Sequence, residues 1–185
     1  MKILLAGILG GIVMFIWTSI AHMFLPLGEA GIGEIPHEST VLAAMQSNIG
    51  QQSGLYFFPR SGLRPNPTGQ QPATNPSGLL AYHPPGTPFA LGKSLGIEFV
   101  TELLKSILVV FLLSQTGIAS FGGRVGFVFV AGILAAIATN VSYWNWYGFP
   151  AVYTASYISI QIISFLCVGL VAALVLRKSP VPATP

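Results

Sequence analysis

The chain has 185 residues, 52% of them apolar and 7% charged, whereas about a quarter of an ordinary soluble domain is charged. That balance excludes a water-solvated globule and points to a bilayer, and the length is used up by four spans of about 20 residues each plus one loop. The net charge of +3 comes from scarcity of acid, with five Glu and no Asp, and not from a basic patch, so nucleic-acid binding is set aside.

The single cysteine, Cys167, lies in an apolar run, so this chain by itself builds neither an intrachain disulfide nor a multi-thiolate metal centre. It reads as a packing residue, with a reactive thiol as the alternative.

After Lys2, residues 3–20 carry no charge and are long enough to cross a hydrocarbon core. A signal peptide competes with this reading, because Lys2 is a basic n-region and Ser19 and Ala21 stand at small-x-small spacing. The apolar run is longer than a typical leader core, which favours the span. Gly7 and Gly11 form a G-x-x-x-G face open to a neighbouring helix, against the bland alternative of two glycines tolerated in lipid.

Residues 25–91 hold most of the prolines and three of the five Glu, with no apolar run able to span. They read as one large external loop. Pro36 followed by Ser39, Thr40 and an apolar stretch predicts a short helix capped by those hydroxyls and lying over the membrane surface. Residues 53–59 and 77–84 are two similar strand candidates, each ending at proline, which predicts a small two-stranded ribbon. Residues 60–76 between them are rich in Pro, Gly, Asn and Gln and read as a mobile connector.

Three further spans follow, at about 95–113, 125–144 and 152–176, with 179–185 as a tail. The fold class is therefore an all-α integral membrane protein, a four-helix bundle (1–24 and 92–178) with a large external loop. Lys2, Arg124, Arg177 and Lys178 fall on one side of such a bundle, while the short loop at Gly148 has no basic residue. The termini are then cytoplasmic and the loop is periplasmic.

Within the spans, Glu98, Glu102 and Lys105 are spaced four and three apart and share one helical face. Charges at that depth turn to the bundle interior or to a water-filled cavity. Asn140 in the third span, and Tyr157 and Gln161 in the fourth, lie at similar depth and join them in an expected polar cluster. An interhelical clasp and a functional site are both consistent with this set. Tyr143, Trp144, Trp146 and Tyr147, with Trp17 near the outer end of the first span, read as an aromatic belt at headgroup level, and the alternative is a ring-lined ligand pocket. His22, Glu29, Glu34, His37 and Glu38 offer metal-binding side chains without matching a compact metal motif, so solvated loop charges are the simpler account. No phosphate-cradling loop, nucleophile elbow or haem-attachment motif is present, and no cofactor is expected.

Three stretches, residues 25–29, 54–59 and 143–150, resemble a family of uncharacterised bacterial four-span membrane proteins. The resemblance implies the architecture and a bacterial inner membrane, and implies nothing about chemistry. Two functions remain in view. The leading one is a non-catalytic subunit packing against lipids and other membrane subunits in a respiratory, photosynthetic or envelope assembly. The other is a small transporter or membrane enzyme using Glu98, Glu102 and Lys105, although no inverted repeat is visible.

Overall fold

The structure, a computed structural model, describes residues 1–59 and 76–177. It is mostly helical, with α1 (Lys2–Met23), α2 (Glu38–Ile49), β1 (Gly54–Phe58), β2 (Gly78–Tyr82), α3 (Leu91–Ser114), α4 (Phe121–Tyr147) and α5 (Ala151–Val175). The 60–75 part of the expected mobile connector and the basic residue Lys178 lie outside the described residues.

The chain forms two compact units. The first is helical, built from Met1–Gly31, Ala90–Trp144 and the chain from Phe149 onward. Among the described residues α1, α4 and α5 are long and apolar enough to cross a membrane. The expected second span is a helix, α3, but it does not qualify with them. Glu98, Glu102 and Lys105 stand in its central turns, and three charges exceed what an apolar span carries.

α1 and α3 run antiparallel in close contact. A Cβ built on Gly7 would stand 2.9 Å from Ile107 Cα, and one on Gly11 2.7 Å from Leu103 Cα. Four residues further along the same face, Phe15 meets Phe99 edge-to-face at 5.2 Å. This corrects the expectation of a free small-residue face on α1, because Gly7 and Gly11 are used up inside the chain by α3. Gly10, also buried, lets α1 approach Ser106 of α3 and Val168 of α5 together. The apolar core gathers Ala6, Met14, Val109, Val110, Leu113, Val128, Phe165, Val168 and Ala172. α4 reaches α5 where Gly132 meets the Phe165 side chain and where Gly169 lies against Val125 and Val128. Cys167 is half-buried on α5, with a free thiol.

Local chemistry sets the helix ends. Ser120 Oγ accepts the Gly123 amide at 3.2 Å and opens α4. At the same end of the bundle Arg124 donates to two carbonyl oxygens, Nε to Ile118 at 3.1 Å and Nη1 to Leu176 at 2.8 Å. One guanidinium thus closes the α3–α4 turn and the C-terminus of α5, whose last carbonyls lack helical partners. At the other end the chain folds back after α1, and Ser156 Oγ donates to Leu27 O at 2.7 Å.

The second unit comprises Ile32–Phe89 with Asn145–Gly148. It contains the expected ribbon, an antiparallel pair in the register Gly54↔Tyr82, Tyr56↔Leu80 and Phe58↔Gly78. Tyr56 and Tyr82 face each other at 6.4 Å, and Tyr82 Oη donates to Gly50 O at 3.0 Å. The short helix α2 is present but is not capped by Ser39 or Thr40. It starts earlier, at Glu38, after His37 in a left-handed conformation (φ 56°), and neither hydroxyl makes a cap bond. None of its residues is buried.

Candidate functional site

Helices α1, α3, α4 and α5 line an open cavity of about 470 Å³ within the helical unit. Every residue expected in the polar cluster lines it: Glu98, Glu102 and Lys105 from α3, Asn140 from α4, and Tyr157 and Gln161 from α5. Spacings of three and four along α3 bring its charges to one wall, as the helical period requires.

Glu102 is the deepest charge, with its side chain 3% exposed, and its Oε2 meets Lys105 Nζ at 2.8 Å. Beyond that ion pair Oε2 has no hydrogen-bond partner among the described residues, and Oε1 accepts a long contact of 3.5 Å from Thr18. Lys105 keeps 33% of its side chain exposed. Glu98, one turn from Glu102, is half-buried, interacts with the Glu102 side chain, and forms no ion pair among the described residues. Asn140 donates to its own helix at Ala136 O (3.0 Å) and across to Gln161 Oε1 (3.4 Å), joining α4 to α5.

Burial grades the cavity from floor to rim. Met14, Glu102, Ile160 and Ser164 are buried at its base, whereas His22, Met23, Ser94 and Leu95 are exposed. These exposed residues come from the C-terminal end of α1 and the N-terminal end of α3. Between base and rim the wall carries Phe15 of α1 beside the polar side chains of Glu98, Lys105, Asn140, Tyr157 and Gln161.

Sequence reasoning missed the contribution of α1. Thr18 and His22 lie four apart on the cavity face of that helix, and the His22 ring meets Tyr157 edge-to-face at 5.5 Å. The polar pair at i and i+4 inside an otherwise apolar span was the available signal. From Tyr157 the aromatic contacts continue through Tyr153 (4.3 Å, stacked) and Phe149 (5.4 Å) to Tyr143 (5.4 Å, stacked).

The other expected sets are dispersed. Trp17 is half-buried and ties α1 to α5, its Nε1 donating to Ile160 O at 3.0 Å. Tyr143, Trp144, Trp146 and Tyr147 are exposed at the end of α4, and within the second unit Tyr147 packs on Phe57 at 6.5 Å. Of the suggested metal ligands, His22 and Glu29 belong to the helical unit, while Glu34, His37 and Glu38 belong to the second. Among the described residues no three such side chains are grouped to hold a metal ion.

Comparison with protein-family models, with curated proteins and with solved structures finds no match.

Proposed function

We propose that this protein is a four-span bundle of the bacterial inner membrane that binds a small ligand from the periplasmic side in the cavity between its helices. The observation that carries the proposal is the convergence of charged and polar side chains from four helices on one open space. A clasp needs only the Glu102–Lys105 pair. Glu98 is a second carboxylate beside open volume without a cation of its own, and a merely structural site has no use for it.

Membership of α3 among the spans is supported by its length and its outer face. Its 24 residues extend about 36 Å at the helical rise, enough for a hydrocarbon core of about 30 Å. Ile97, Val100, Leu104, Leu108 and Phe111 are each more than half exposed along one side of this helix, and lipid is the solvent that suits them. Lys2, Arg124, Arg177 and Lys178 favour cytoplasmic termini. The bacterial inner membrane rests on the resemblance noted in the sequence.

The test is accessibility. In a Cys167→Ser background, Gln161→Cys on the cavity wall is expected to react with a membrane-impermeant maleimide added outside, and Leu104→Cys on the lipid side is not. Failure of Gln161→Cys to react, in folded protein, overturns the proposal.

A second reading, a non-catalytic subunit of a larger assembly, is favoured by the exposed apolar residues Ile32, Ile35, Leu42, Leu55 and Phe89 of the second unit. A stoichiometric partner retained in mild detergent supports it, and a monodisperse lone chain opposes it.

A further inference from the structure

We infer that the ligand of this cavity is a single organic ammonium ion of small-molecule size, bound by Glu98, with Lys105 acting as a built-in competitor that holds Glu102. The inference rests on the ligand-binding proposal above and names the chemistry of that site.

Charge comes first. Two carboxylates and one ammonium line the cavity, so the three groups together carry one uncompensated negative charge when all are ionised. Neither α4 nor α5 contributes a charged group to the lining. The remaining titratable side chains are Tyr157 and His22. His22 Nδ1 lies 2.9 Å from Thr18 O, and since a carbonyl oxygen only accepts, Nδ1 is the donor. The carboxylates of the lining thus outnumber its ammonium by one, and the site is rich in acceptors. An anion meets a lysine already committed to Glu102 at 2.8 Å and a carboxylate that repels it.

Size and walls come next. About 470 Å³ falls within the range of small-molecule pockets, roughly 300 to 1,000 Å³, whereas one water occupies about 30 Å³. A bare metal cation needs ligands on all sides at about 2.3–2.6 Å, and among the described residues no three His, Cys, Asp or Glu side chains are grouped to hold one. Met14, Phe15, Leu95 and Ile160 form surfaces for an apolar body. An ammonium joined to a hydrophobic group satisfies both parts.

Lys105 gives the inference a readout that a structural role does not share. Its ammonium occupies Glu102, the second carboxylate an incoming ammonium could use, so removing it is expected to strengthen cation binding even where it weakens the fold. The experiment is calorimetric titration of the full chain in detergent with three probes: 2-phenylethylammonium, phenylacetate and sodium. The expected result is one saturable site for 2-phenylethylammonium, with phenylacetate at least about tenfold weaker and sodium not competing at equal concentration. Glu98→Gln is expected to weaken 2-phenylethylammonium about tenfold to a hundredfold, the range for losing a charge-assisted hydrogen bond, and Lys105→Met is expected to tighten it. Equal binding of phenylacetate, competition by sodium, or indifference to Glu98→Gln overturns the inference, and the wild-type probe series decides it even where a variant does not fold. A cavity that reacts at position 161 yet takes no 2-phenylethylammonium overturns this inference alone, whereas an unreactive position 161 overturns the ligand-binding proposal with it.

Discussion

Lys105→Met removes the only cation paired with Glu102 among the described residues while keeping the length of the side chain. What remains around that carboxylate is the 3.5 Å contact from Thr18 and the neighbouring Glu98 carboxyl, at a site where the side chain is 3% exposed. Orphaning one member of a buried ion pair costs about 3–5 kcal/mol, and the partly exposed lysine places this case at the lower end. An upper limit comes from protonation. A carboxyl with an ordinary unfolded-state pKa of about 4.3 is neutralised at a cost of about 3.7 kcal/mol at pH 7 and about 1 kcal/mol at pH 5. The folded variant that takes up this proton holds one more than its unfolded chain above pH 4.3, so its stability rises as pH falls. The expected loss relative to the unsubstituted protein is therefore about 3 kcal/mol at pH 7, shrinking towards about 1 kcal/mol at pH 5. SDS-denaturation titrations of the purified chain at both pH values measure it. The double substitution Glu102→Gln with Lys105→Met is expected to recover most of the loss, because no charge is then buried. A loss below about 0.5 kcal/mol at pH 7, or no recovery in the double variant, refutes the placement of Glu102 in the bundle interior.

Replacing Gly7 and Gly11 together with Ile drives branched side chains into the α3 backbone at Ile107 and Leu103. Overpacking of this kind costs about 1–3 kcal/mol per site, so thermal melts are expected to show a destabilised monomer with no change in oligomeric state on size exclusion. Arg124→Lys is expected to lose about 1–2 kcal/mol despite keeping its charge, because a single ammonium cannot reproduce the fork that reaches both Ile118 O and Leu176 O. Equal melting of Arg124→Lys and the unsubstituted chain counts against that clasp. Reporters placed after Ser120 and after Lys178 are expected to read cytoplasmic and one after Gly50 external, and an internal signal from Gly50 reverses the proposed orientation.

A membrane bundle is legible in sequence because lipid imposes one simple demand, a long uncharged run whose backbone bonds close within the segment. α1, α4 and α5 declare themselves that way, and proline and glycine mark their limits. The two strand candidates were equally readable, as matched aromatic and aliphatic runs ending at proline. The stripe of Glu98, Glu102 and Lys105 followed from helical period alone, and a shared depth was enough to predict that Asn140, Tyr157 and Gln161 would join it. Depth and period do not say which faces meet. Tertiary packing decided that Gly7 and Gly11 are filled by α3, that Trp17 ties α1 to α5, and that His22 belongs to the cavity and not to a metal set. It also gave Arg124 two carbonyl partners, Ile118 and Leu176, the second of them 52 residues away. Each of these depends on distances between segments remote in the chain, which hydrophobic pattern does not encode. The same packing left open space beside Glu98, and so turned a charged stripe into a candidate binding site.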